Sequence, residues 1–124
     1  HKKNFLNSVK NNGNYFRKTI ESELEGYDFF KNVRGRGLRN SVEYNCEDQH
    51  LFGLALTNHA KNRHKMLISA KWHRACFSVA INVKKKELNL IIENFLDSFK
   101  YISKNWTNKF RKKNSKLNNF RNFY

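Results

Sequence analysis

The chain has 124 residues, a formal net charge of +15 and an apolar fraction of only 39%, enough for one domain with one modest core. No stretch approaches the ~18 apolar residues of a membrane span, and no signal-peptide pattern opens the chain. Its two cysteines, Cys46 and Cys76, belong to no CxxC motif, which excludes a disulfide framework or a cysteine metal site and makes a reduced, cytoplasmic compartment the expectation.

The first element in the chain is a helix over about residues 3–24. Phe5, Leu6, Val9, Phe16, Ile20 and Leu24 fall on helical spacings. Asn12-Gly13 is a turn signal that either splits this helix or is tolerated within it. A short loop follows at 25–28. The run Asn32-Val33-Arg34-Gly35-Arg36-Gly37-Leu38 comes next, then the β-like Val42-Glu43-Tyr44. Its two glycines point to a bend or bulge leading into a strand.

A second helix is expected over 49–63. The carboxylates of Glu47 and Asp48 suit its N-terminus, and Arg63, His64 and Lys65 suit its C-terminus. Leu51, Leu54, Ala55 and Asn58 make one face, flanked by Phe52, Leu56 and Ala60. Segments 66–70 and 75–81 read as strands. The last helix is the clearest: Leu88, Ile91, Ile92, Phe95, Leu96, Phe99 and Ile102 form a stripe that must be buried.

Residues 104–124 differ in kind. Lys104, Lys109, Arg111, Lys112, Lys113, Lys116 and Arg121 stand among Trp106, Phe110, Leu117, Phe120, Phe123 and Tyr124, with no acid. Basic residues between aromatics suit single-stranded nucleic acid, a basic amphipathic helix suits an anionic membrane, and poorly ordered biased sequence is the plain alternative. The excess charge has the same two faces. It fits an acidic partner. It also fits low-GC coding, since Lys, Asn, Phe, Ile and Tyr abound while Pro is absent.

The order of these elements resembles the C-terminal small domain of class III aminotransferases, pyridoxal-phosphate enzymes of fold type I. The family's "VRGxGL…(I/V)E" segment is close to literal over Val33 to Leu38. Its "nGeyLrerLeel" helix is matched in pattern by Asn12-Gly13-Asn14-Tyr15-Phe16-Arg17. The likeness covers roughly residues 5–103. It implies an α+β fold, a short, mainly antiparallel sheet with helices packed on one face. Residues 1–103 would be the small domain of a partial enzyme and 104–124 an added basic aromatic tail.

The resemblance also implies a parent enzyme that moves an amino group between an amino acid or amine and a keto acid or aldehyde. Its implied partners are the rest of the aminotransferase chain, a second copy in a homodimer, and the amine or amino acid substrate. Pyridoxal phosphate would be bound by that parent enzyme through a large domain for which this chain has no room. The chain is therefore not expected to be active alone, and no catalytic or cofactor-binding residue is assigned in it. His1 in place of Met, inside a helix-like pattern, points the same way.

One site is left for the small domain to supply. In several members an arginine just before the strand that often carries a Pro-Pro pair, or in the loop leading into it, binds a substrate carboxylate. Here the region reads Lys71-Trp72-His73-Arg74-Ala75-Cys76-Phe77. Arg74 and Lys71 are the candidate substrate-binding residues, since a guanidinium suits bidentate carboxylate binding. Trp72 would form an entrance wall. A solvated basic turn is the alternative. By spacing, Cys76 falls where some members place the arginine, Val79-Ala80 stands for Pro-Pro, and Lys84 replaces a Thr or Ser N-cap. No metal site is assigned: His59 and His64 are five apart, outside the i, i+4 pair of a helical site. The rival function is a small basic nucleic-acid-binding protein.

Overall fold

A computed structural model describes residues 2–46, 48–66, 68–71, 73–80 and 82–106. Helix α1 (Lys2–Leu24) runs unbroken through Asn12-Gly13. Gly13 is buried against the turn that follows the first strand, and a Cβ there would run into the carbonyl of Gly37. The turn signal is thus a packing device: a bare backbone lets the helix approach the hairpin. Phe16, Ile20 and Leu24 are fully buried, whereas Leu6 is exposed.

Strands β1 (Phe30–Arg36) and β2 (Arg39–Tyr44) form an antiparallel hairpin closed by Gly37-Leu38. Gly37 has φ +60°, and Leu38 is not left-handed. That is the pattern of a type II′ turn, whose twist matches paired strands. The sequence reading placed a bend or bulge before a single strand. Instead the glycine-arginine run is itself the first strand plus its turn, and the one register shift lies earlier, between Phe30 and Asn32.

Helix α2 (Gln49–His64) follows. Its buried residues are Phe52, Gly53, Ala55, Leu56 and Ala60, so the face expected to flank is the one that packs. Leu51, Leu54 and Asn58 are half-buried. Apolar residues surround most of this helix, so periodicity alone did not orient it. Its C-terminus closes with Lys65 at φ 55°, Met66 N–H donating to Ala60 O at 3.1 Å and Lys65 N–H to Lys61 O at 3.1 Å. The Lys65–Lys61 bond is the 5→1 closure of an αL cap, with a non-glycine at its left-handed position.

Strands β3 (Ser69–Lys71) and β4 (Arg74–Ser78) are shorter than the two segments expected, and each is shifted. The sheet order is β1-β2-β4-β3, antiparallel throughout. Helix α3 (Lys85–Lys104) buries Leu88, Ile92, Phe95, Leu96, Ser98, Phe99 and Ile102, the expected stripe. Lys84 stands at its N-cap without a side-chain cap. Positive charge is unfavourable there, but Lys85 is spent elsewhere: its ammonium lies 3.4 Å from the centroid of the Tyr15 ring.

One core joins all of this. Phe77 and Phe95 meet edge to face at 4.8 Å between centroids, and Phe52 packs on Phe99 at 5.4 Å. Each such side chain contributes roughly 1.5–3 kcal/mol by leaving water. The α+β class with helices on one face is as expected. Helix α3 ends one residue past the expected boundary at 103. Of the basic tail, residues 107–124 lie outside the described residues, and the described helices include none long and apolar enough to cross a membrane.

Candidate functional site: the open face of the sheet

Alternation along β2 and β4 sorts their side chains. Val42, Tyr44, Ala75 and Phe77 point into the core. Arg39, Ser41 and Glu43, with Arg74, Cys76 and Ser78, take the other side. The register brings these into rows: Arg39 faces Ser78, Ser41 faces Cys76, and Glu43 faces Arg74. On the flanking strands Arg34 lies opposite Ser41 and Ser69 opposite Cys76. Among the described residues no helix covers this face. A broad depression of about 1080 Å³ lies on it, lined among others by Arg34, Arg39, Ser41, Glu43, Arg74 and Cys76.

The strand residues on the floor of the depression are polar and mostly positive, while Met66, Val79, Val83 and Ile91 give it an apolar side. Glu43 is the exception: it is nearly buried, and its Oε1 lies 3.2 Å from Arg34 Nε. Arg34 itself is largely exposed, so the pair orients Glu43 more than it stabilises the fold. Arg74 is exposed and makes no ion pair among the described contacts. Cys76 is a free, half-buried thiol two positions along the same strand.

This placement bears on both predicted substrate-binding residues. Residues i and i+2 of a strand share a face and lie roughly 6.6 Å apart. Arg74 therefore projects from the same face as Cys76, and a guanidinium displaced by two positions still reaches the same depression. Lys71 is the last residue of β3 and pairs with Arg74 in register, which brings the two predicted residues together at the backbone. Trp72 lies outside the described residues.

Sequence reasoning missed the rest of the face: Arg39, Ser41, Glu43, Ser69 and the Arg34–Glu43 pair. The signal was present as period-two alternation in 39–44 and 74–78, where polar residues recur at every second position. A second missed feature holds the hairpin in place. Arg17 Nη1 donates to Asn40 Oδ1 at 2.6 Å and to Gly37 O at 3.1 Å, while Nη2 donates to Asn14 Oδ1 at 2.8 Å. Asn40 is buried. The arginine of α1 thus ties the helix to the Gly37 turn and fixes where the open face begins.

No protein-family profile matches the chain, and none of the curated proteins searched matches it. Solved structures do match. An acetylornithine aminotransferase from Elizabethkingia anophelis superposes with a TM-score of 0.72 at 19% identity, over 81% of this chain and 25% of that one. An ornithine aminotransferase from Toxoplasma gondii gives 0.70 at 20% identity, over 83% and 24%. An omega transaminase from Pseudomonas jessenii, solved with PMP, gives 0.73 at 18% identity, over 85% and 24%. The likeness is one of fold, and the chain spans about a quarter of the length of these aminotransferases.

Proposed function

We propose that this chain is the C-terminal small domain of a class III, pyridoxal-phosphate-dependent aminotransferase. The observation that carries the reading is the joint one. The fold matches aminotransferases over more than four-fifths of the chain, and the sheet leaves bare one polar, arginine-lined face. In this reading the open face turns toward the rest of the parent chain and its active site. Arg74, with Lys71 beside it, binds the substrate carboxylate. The parent enzyme is cytoplasmic, works as a homodimer, and moves an amino group from an amino acid or amine to a keto acid or aldehyde.

The residues present do not fit the whole cofactor. Pyridoxal phosphate needs a lysine for the Schiff base and an acid beside the pyridinium nitrogen. Of the carboxylates lining the open depression, Glu43 is already paired with Arg34 and Glu87 is exposed at the rim. No lysine of this chain sits in a pyridoxal-lysine motif. Cofactor chemistry belongs to the remainder of the parent enzyme, and this chain alone forms no aldimine.

Two measurements test the reading. The coding sequence upstream of His1 is expected to hold an open frame with a pyridoxal-lysine motif. The chain mixed with pyridoxal phosphate and then dialysed is expected to keep no aldimine band. A stoichiometric, dialysis-resistant band on one lysine overturns the assignment. So does RNA binding that persists at physiological salt, discriminates between sequences and maps to Arg34, Arg36 or Arg39. Binding that reflects charge alone falls away as salt rises.

A further inference from the structure

A second cluster lies in the helical layer, on the other side of the sheet from the open face. His59 and His64 stand in the last turns of α2, and Asp97 faces them from α3. His64 Nε2 lies 2.7 Å from Asp97 Oδ2. His59 Nδ1 lies 2.8 Å from Ser98 Oγ, and its ring stacks on Tyr101 at 4.5 Å between centroids. The two histidines and the aspartate each offer one ligand atom, and these atoms lie within 4.8 Å of one another. His59 and Asp97 border a surface depression of about 570 Å³ shared with Asn62, Arg63 and Tyr101.

The geometry points to a site for a divalent transition metal of the zinc class, with His59, His64 and Asp97 as its three protein ligands and water in the open position. Neutral imidazole and carboxylate are ligands that such ions take. A tetrahedral zinc centre with bonds of ~2.0–2.2 Å holds its ligand atoms roughly 3.3 Å apart. The His64–Asp97 contact must therefore open slightly, and the wider spacing must close by about an ångström and a half. Side-chain rotation at the helix surface supplies both.

Three features support the cluster as more than a chance grouping. Ser98 is fully buried and engages Nδ1 of His59, the outer-shell hydrogen bond that metal-bound histidines ordinarily make, with Nε2 left to ligate. Tyr101 holds the ring plane. The C-terminal end of α2 carries partial negative charge from its free carbonyls, which favours a cation beside it. On binding, the proton shared between His64 and Asp97 leaves Nε2. A neutral ring moves it to Nδ1, and an imidazolium releases it to solvent. Arg63 on the rim opposes the cation, and the Asp97 charge offsets it.

Spacing along α2 hid this site. His59 and His64 are five apart and do not share a face in the i, i+4 sense. The third ligand comes from a helix 33 residues further on, and the crossing of α2 and α3 closes the gap.

The test uses the full chain, freed of metal by chelation and titrated with Zn²⁺ by calorimetry and with Co²⁺ by absorption. One equivalent per chain is expected, with Co²⁺ bands of a low-coordinate nitrogen and oxygen site. Asp97→Asn and His64→Gln should each weaken binding at least tenfold, and Ser98→Ala by about 10–100-fold as an outer-shell loss. Asp97 is exposed, so Asp97→Asn keeps the fold, which circular dichroism verifies. His73→Ala and Cys76→Ser should change nothing. The proposal fails if Zn²⁺ does not bind, if binding survives Asp97→Asn undiminished, or if it is lost in Cys76→Ser. It is independent of the aminotransferase reading, since His59, His64 and Asp97 stand on α2 and α3 and none of them lines the open face.

Discussion

The two faces of the sheet follow from the same strands and obey opposite rules. On the covered face Val42, Tyr44, Ala75 and Phe77 meet Phe16, Phe52, Phe95 and Phe99, and all eight are buried. On the open face Arg34, Arg39, Ser41, Glu43, Arg74 and Cys76 are held by backbone register with few side-chain contacts. The first face stores the stability and the second offers the chemistry. Substitutions on one should therefore move unfolding, and on the other should move only what the face binds.

The sharpest break of that contrast is Phe95→Ala. Phe95 is fully buried between Phe77 and Phe99, so the substitution should cost about 3–5 kcal/mol, a large share of a small domain's stability. Urea unfolding of the full chain reads it directly, and an unmoved midpoint would mean the helical layer is not the core. Next is Arg17→Ala, at the seam between the faces. It takes the guanidinium donor from the buried Asn40 Oδ1 and leaves the Gly37 carbonyl only the longer 3.4 Å bond from Asn40 Nδ2, for a loss of about 1–3 kcal/mol. Lysine at the same position should recover only part of it, because one ammonium cannot reach Asn14, Gly37 and Asn40 together.

Two further changes on the covered side should not destabilise at all. Lys65→Gly removes a non-glycine from a left-handed position and should gain about 1 kcal/mol. Tyr44→Phe should be neutral or slightly stabilising. Its hydroxyl is buried with no hydrogen-bond partner among the described residues, and burial pushes the phenol far above its usual pKa, so its loss removes a desolvated group without breaking a bond. A loss above about 1 kcal/mol in thermal unfolding would reveal a partner for that hydroxyl.

The covered face was far more legible in the sequence than the open one. The α3 stripe needed only helical period, and every residue from Leu88 to Ile102 in it is buried or half-buried. Helix α1 was legible as to span, with Gly13 explicable only once the Gly37 turn was seen beneath it. Helix α2 was found but turned wrongly, because its apolar residues do not favour one side. Strand β1 was hidden in the glycine-arginine run, since glycine-rich segments carry little period-two signal. The open face fared worst for a physical reason. Its residues come from four strands, and which ones meet depends on register, which no single stretch of sequence encodes. Arg74 was proposed through resemblance, while the places of Ser41, Glu43 and Ser69 on the same face came to light only when β2 and β3 were seen beside β4.

The smallest expected effect on stability is the most informative about function. Arg74 is exposed on the open face and has no ion-pair partner among the described residues, so Arg74→Ala should leave the unfolding midpoint within about 0.5 kcal/mol. If Arg74 binds a substrate carboxylate, the same change in the complete parent enzyme should remove a charge-assisted hydrogen bond of roughly 1.5–3 kcal/mol. KM for the carboxylate-bearing substrate would then rise between about tenfold and a hundredfold. An amine substrate without a carboxylate should be unaffected, and Arg74→Lys should recover little, because an ammonium lacks the bidentate fork. Cys76→Arg adds a second handle: it places a guanidinium two positions along the same face, and in the Arg74→Ala background it should restore part of the lost affinity. Equal losses for substrates with and without a carboxylate would assign Arg74 to holding the domain against its neighbour. A shifted unfolding midpoint would move Arg74 out of the binding face and into the scaffold, and the division of labour between the two faces would fail there.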